Sequence, residues 1–556
     1  MAVRPSVEFR VHHAYHKLAA RVASSLASAA QSSHASTEFT PHALALLSPS
    51  LVSNILDDDY LHTAAGGGSY TLYLINPHIA TTYAYAYDNE HRSCPGGMYV
   101  SPRHRYAFYD LSANITFYGP GPGGKGQVLQ HAVPALTHYR PEALRRAVLP
   151  DLSALVWSGV QHLAWPPLHS ADISYAPKVE VHIIYMHQDL LGVVSHLDKG
   201  AVEHELRDAL AGVQEVNVFE HAHPFGDCPQ CVVGYTSALR VRTSKPHEAN
   251  EDATLQMAHY LDIQALDAWV QEWRHVILSD LNVEEEQGPR VLPVFVFDVA
   301  GADTVMIDGW RQAVAVSGGS VVAVRSGHAT VPTFFGCHTK QTHVDPRELH
   351  RPVMASLLQA GWGVADTALF WSEATGRSWN WLWSLGATPF GPLSVQTSLS
   401  SVQRDALVRN LALAQLNASL EHTAALVMGF IRVGGESAEI RTYLKTNQVI
   451  TYHRRLALLL HKLEEATAAL SRLDHRLALG YALSMAHDAA ALHAVVREAK
   501  GHINVELSCH GHRERRRWWL VPGSAGVICL LLVVWRLLPS RGGGGGRDKK
   551  KFDHIY

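Results

Sequence analysis

The chain has 556 residues, enough for two or three domains that each bury a core of their own. With 47% hydrophobic and 17% charged residues it is expected to be globular, and a formal net charge of -3 gives no support to nucleic-acid binding. The 36 histidines are scattered rather than blocked, which reads as compositional bias and leaves only local clusters to be weighed as metal ligands.

From the N-terminus, VEFRVHHAYHKLAARVASSLASAAQ predicts a short strand running into an amphipathic helix, with His12 and His16 four residues apart. The segment has no apolar h-region, so no secretory signal peptide is expected in the sequence as written. GGGSYTLYLINP predicts a strand opened by a flexible turn, and TYAYAY, RYAFYDL and ITFY predict aromatic strands. The loop GPGPGGKGQ invites a phosphate reading, but Gly119 to Gly126 lacks P-loop spacing and a following Lys-Ser/Thr helix start. A helical stretch near 141–163 closes an α+β N-terminal region, 1–165.

Residues 166–398 form an α/β region. KVEVHIIYMH is an alternating strand, followed by a helix over 200–213 and a second strand at VQEVNVFEH, which together predict a βαβ unit. A helix is expected over 254–280, then the hydrophobic strand VLPVFVFDVAG with Asp298 near its carboxyl end, where α/β enzymes often place a metal ligand or a base. The companions of such a site, a second Asp two positions on or a nucleophile elbow, are missing, so Asp298 stands as a candidate without partners. GSVVAVRSG is the next strand. SWNWLWSLGATPFGPLS puts Trp379, Trp381 and Trp383 on one face of an extended segment, expected to pack in a core and exit through an ordered turn.

Two clusters carry metal-ligating residue types. HAHPFGDCPQC offers His221, His223, Cys228 and Cys231, a set zinc accepts; in an oxidising lumen the same Cys-x-x-Cys pair is a disulfide, local or with a distant partner such as Cys337. CHTKQTH supplies Cys337, His338 and His343 but not the H-E-x-x-H pattern of a metalloprotease. With Cys228 joined to Cys231, Cys94 and Cys337 are the second expected pair, while crossed pairings such as Cys228 with Cys94 are equally compatible with the sequence. No cofactor is predicted, and zinc is the one metal the clusters suggest.

Residues 399–512 turn rich in Ala, Leu, Arg, Glu and His and predict long helices forming a stalk or bundle. From Trp518 to Trp535 no charge occurs, about 27 Å of helix at 1.5 Å per residue, so a transmembrane helix is expected over 518–538 with the lipid bilayer as its partner. Both flanks are basic and give no clean orientation. A flexible Gly/Lys tail, 539–556, follows. Asn114-Ile-Thr and Asn417-Ala-Ser are glycosylation sequons, meaningful only if this region is luminal.

The runs LPVFVFD, LHRPVMASLLQAGWGVA and WSLGATPFGPLS followed by SSVQRDALVRN, with FRVHHAYHKL, TLYLINP, RYAFYDLSA, YGP and CPQC, carry a resemblance over most of residues 7–420. The chain resembles a land-plant and green-algal family of uncharacterised single-pass membrane proteins of the secretory pathway. That resemblance implies a type I arrangement, with a large luminal region and a short cytosolic tail in the ER, Golgi or plasma membrane. Family members generally begin with a signal peptide, and this chain departs from them there; read literally, it would be tail-anchored with a cytosolic domain. The family brings no catalytic residues. The expectation is a noncatalytic role in binding, escort or assembly with a luminal protein or glycan partner, serving deposition of extracellular or cell-wall material. The alternative is a luminal metal-dependent hydrolase or transferase using Asp298 with His338 or His343.

Overall fold

A computed structural model describes residues 15–32, 50–63, 69–75, 85–86, 95–96, 98–110, 173–187, 197–244, 256–283, 288–299, 305–308, 311–327, 331–337, 340–344, 347–364, 371–372, 377–378, 399–432 and 446–503. The fold is mixed α/β. Among the described residues no helix is long and apolar enough to cross a membrane, and the 518–538 segment lies outside them.

The N-terminal part pairs two helices, α1 (His16–Ser32) and α2 (Ser50–Thr63), with a small sheet of β1 (Thr71–Ile75), β2 (Met98–Val100) and β3 (Tyr106–Asp110). Its order is β1-β3-β2, with β1 and β3 parallel. Leu18, Val22, Val52, Leu56, Tyr106 and Phe108 close a compact core between them. The predicted strand ahead of α1, the ITFY strand and the helix near 141–163 lie outside the described residues.

The central part is a parallel sheet with helices on both faces. β4 (Lys178–His187) leads into α3 (Lys199–Ala209) and β5 (Glu215–Pro224). After α4 (Pro229–Ala238) come β6 (Leu239–Ser244) and β7 (Gln256–Leu261), then α5 (Ile263–Asp280) and β8 (Arg290–Val299). β9 (Met306–Ile307), β10 (Ala313–Val316), β11 (Ser320–Ser326), the hairpin β12 (Val331–Cys337) and β13 (Lys340–Val344), and α6 (His350–Trp362) complete it. The main sheet runs β10-β11-β8-β4-β5, parallel except for the β10 edge.

The sequence of β8 explains its central place. RVLPVFVFDV is apolar at every position from Val291 to Phe297 and again at Val299, so both faces can be buried, as a strand flanked by helices on each side requires. Val294 and Val296 face α3, α6 and the C-terminal helices; Phe295 and Phe297 face α4 and α5. Each of these side chains contributes on the order of 1.5–3 kcal/mol by leaving water.

One predicted element changes type. Residues 256–261 form β7, paired antiparallel with β6 from Leu239↔Leu261 to Ser244↔Gln256, and the helix begins only at Ile263. Asp262 caps that helix by accepting the Gln264 N–H at 3.1 Å, so the polar residue that looks like part of a helical face is its start signal. At the other end of the domain α6 stops at Gly363, whose φ of 63° is left-handed and whose missing Cβ would meet the Ile173 side chain at 2.5 Å.

Three long helices follow: α7 (Ser401–Arg432), α8 (Thr446–Ser471) and α9 (His475–Ile503). Leu407, Leu411, Leu459, Leu470, Ala482 and Met485 share one continuous core with Val181, Ile183 and Val294 of the sheet. These helices therefore form a further layer on the α/β domain, resting on it through α6.

Candidate functional site

The parallel sheet reverses its strand order between β4 and β8: the chain leaves β4 toward β5 on one side and returns to β8 on the other. In open sheets the carboxyl ends at such a point are where ligands bind. Register places Arg325, Asp298, His187 and Pro224 in one row across those ends. Arg325 Nη1 donates to both oxygens of Asp298, at 3.0 and 2.8 Å, with the side chains only 14% and 10% exposed. Farther back along β4 and β5 Tyr185 donates its hydroxyl to Glu220 at 3.2 Å. Asp298 thus sits where its strand position predicts, but as one half of a largely buried ion pair rather than as a free carboxylate. Sequence reading missed Arg325; the signal was the basic residue at the same height of the next parallel strand, legible only with the register known.

The cysteine motif sits on the other face. Turn hydrogen bonds from Asp227 and Cys228 N–H to Pro224 O, at 3.0 and 3.1 Å, fold the chain from the end of β5 directly into α4. Cys228 is the N-cap of that helix, Pro229 occupies its first turn, and the Cys231 N–H donates to Cys228 Sγ at 3.1 Å. The two sulfurs are bonded as a disulfide, with Cα atoms 5.3 Å apart, and the cysteines are 1% and 0% exposed. His223, at the end of β5, is 8% exposed and its Nε2 has no hydrogen-bond partner. A ring nitrogen of His223 and the two sulfurs lie within 4.8 Å of one another, a group able to hold a metal ion.

His221 leaves this group. Its Nε2 meets Nδ1 of His182 on the neighbouring strand at 2.8 Å, the rings stack at 5.1 Å, and His182 also stacks on Phe219. Glu180 approaches the far nitrogen of His182 at 3.4 Å. Burial lowers the pKa of both imidazoles, and His182 depresses that of His221 further. His182 was not singled out in the sequence; alternation in KVEVHIIYMH places it beside Glu180 and Ile184 on one face, and only strand pairing adds His221.

Of the second histidine cluster, Cys337 and His343 fall on the β12–β13 hairpin, whose backbone alone is described, and His338 lies outside the described residues. Cys94, Asn114 and the Trp379, Trp381 and Trp383 row also lie outside them. Asn417 is exposed on α7, where its amide donates to Glu421 at 2.8 Å.

A second buried polar group joins the N-terminal part to the helices. Arg105 donates to both oxygens of Asp405 at 2.6 and 2.9 Å and to Leu473 O at 2.8 Å, and Tyr70 donates to Asp405 at 2.9 Å. Ser401 donates its hydroxyl to Ser101 O and His104 O at 2.9 and 2.7 Å. Beside this network His475 is 4% exposed with neither ring nitrogen partnered, and burial pushes its pKa down to about 4.

Residues 1–166 match a protein-family model described as a domain of unknown function, DUF7906. No curated protein matches the chain.

Proposed function

We propose that the chain is a single-pass membrane protein of the secretory pathway whose large region faces the lumen and acts by binding a partner rather than by turnover. The observation that carries this reading is the buried Cys228–Cys231 disulfide, a bond that persists in oxidising compartments and is rare in the cytosol. The segment 518–538, whose first eighteen residues from Trp518 to Trp535 carry no charge, supplies the anchor in this reading. Kinship with the land-plant and green-algal membrane family, and a part in deposition of extracellular or cell-wall material through a protein or glycan partner, belong to the same proposal.

Binding is favoured over turnover because Asp298, the carboxylate that the sequence puts at a catalytic strand position, is held by Arg325. Should the reduced cysteine pair take a metal, the nitrogen and sulfur donors fit zinc.

Topology tests the reading. In intact microsomes the large region should resist protease, and glycosidase should shift its mobility, with Asn417→Gln removing part of that shift. Digestion of the large region together with an unshifted band would establish the tail-anchored, cytosolic arrangement instead.

A further inference from the structure

We infer that the Cys228–Cys231 disulfide is the closed form of a redox-gated site for a thiophilic divalent cation of the zinc class, with His223 as its third protein ligand. The inference rests on local geometry and stands whether or not the region is luminal.

The donors are mounted on rigid elements. His223 ends β5, and a turn held by two backbone hydrogen bonds to Pro224 O brings Cys228 to the N-cap of α4, with Cys231 one turn into the helix. Their ligand atoms lie within 4.8 Å of one another. Tetrahedral zinc, with bonds of about 2.0–2.3 Å, needs neighbouring ligand atoms roughly 3.5–3.8 Å apart, so small side-chain rotations suffice once the sulfurs separate. A Cys-x-x-Cys pair is the usual way to present two such thiolates.

A helix N-terminus bearing two cysteines would be compatible with a purely structural disulfide. The buried His223 is what that reading leaves unexplained. A buried imidazole nitrogen with no hydrogen-bond partner, in a residue only 8% exposed, costs free energy that a disulfide does nothing to offset. A metal ion held by the His223 ring and both thiolates gives that buried imidazole a polar partner that the disulfide does not. The surroundings favour it further: the helix N-terminus and the Cys231 N–H stabilise a Cys228 thiolate, and the Trp269 indole, bonded to Gln230 O at 2.9 Å, fixes the peptide between the two cysteines.

Opening needs two electrons, which a small dithiol supplies. One of its thiolates attacks a sulfur of the pair and the Cys228–Cys231 bond breaks, leaving a mixed disulfide and one free cysteine. The second thiol of the reductant then closes its own disulfide, and the protein retains two thiols and two protons. Cation uptake expels both protons and forms two metal–sulfur bonds and one metal–nitrogen bond. Three protein donors leave a fourth tetrahedral position for water or an exogenous ligand.

Cobalt(II) is the probe, because thiolate ligation gives it a charge-transfer absorption. Full-length protein, reduced and handled without oxygen, should bind cobalt with that absorption, lose it when zinc displaces the cobalt, and fail to develop it when the disulfide is intact. Zinc should also protect Cys228 and Cys231, identified by peptide mass, from alkylation, which locates the site against the other cysteines without any substitution. In His223→Leu, affinity should fall roughly 100-fold, the share of one donor in a structural zinc site. Unprotected Cys228 and Cys231 in reduced, zinc-loaded wild-type protein would overturn the inference, as would unchanged cobalt affinity in a folded His223→Leu variant.

Discussion

Trp269 on α5 donates its indole N–H to the carbonyl oxygen of Gln230, 2.9 Å away, and so locks the peptide between Cys228 and Cys231 to the helix packed beside it. The indole reaches that carbonyl because Gly234 on α4 has no side chain: a Cβ there would lie 2.4 Å from the Trp269 ring. Gly234→Ala should therefore destabilise the domain by about 1–3 kcal/mol through overpacking, although alanine is the better helix former. Trp269→Ala should cost about 3–5 kcal/mol. Urea unfolding of both variants checks the pair, and a neutral or stabilised Gly234→Ala would show that the two helices part easily.

Removing the carboxylate of Asp405 should loosen the N-terminal part from the helices. Arg105 and Asp405 are 24% and 16% exposed, so Asp405→Ala strands a charge that water reaches only in part, and a loss of about 3 kcal/mol follows, near the lower end for breaking a buried pair. Hydrogen exchange should rise first in residues 98–110, the segment that Arg105 anchors. Uniform exchange across the chain would contradict that placement.

His475 sets an acid limit. Burial holds its folded-state pKa at about 4, while Asp405 and Asp474 oppose that shift and Arg409 and Arg105 add to it. An unfolded histidine titrates near 6.5, so between those values the unfolded chain binds the extra proton and stability falls as the pH falls. The contribution is complete above about pH 6.5 and diminishes by about 3 kcal/mol by pH 4. His475→Leu removes two unpartnered buried nitrogens and should flatten this limb in thermal unfolding followed from pH 7 to pH 4. An unchanged slope would mean that the imidazole finds a partner.

Asp298→Ala should unfold the domain more readily, by about 3–5 kcal/mol, because Arg325 is then buried without its partner. Asp298→Ala combined with Arg325→Leu should recover much of that loss. The absence of recovery would point to a role for Asp298 outside the pair.

The central βαβ unit, the strand at 290–299 and the long helices were legible because their periodicity is strong and their faces are buried on two sides. Gln256–Leu261 misread as helix because its strand partner, Leu239–Ser244, is a separate segment whose pairing no local pattern reveals. The site was legible to the same depth. Cys228, Cys231 and His223 are close in sequence and stayed together, whereas the His182–His221 and Asp298–Arg325 pairs depend on strand register, which a single chain does not display.

The oxidised cysteine pair can be read directly in protein from the cell. Membranes lysed in excess alkylating agent and digested without reductant should yield Cys228 and Cys231 joined to each other and unalkylated, as expected of a luminal domain. Recovery of both cysteines alkylated, from a large region that protease digests in intact microsomes, would contradict the secretory-pathway account.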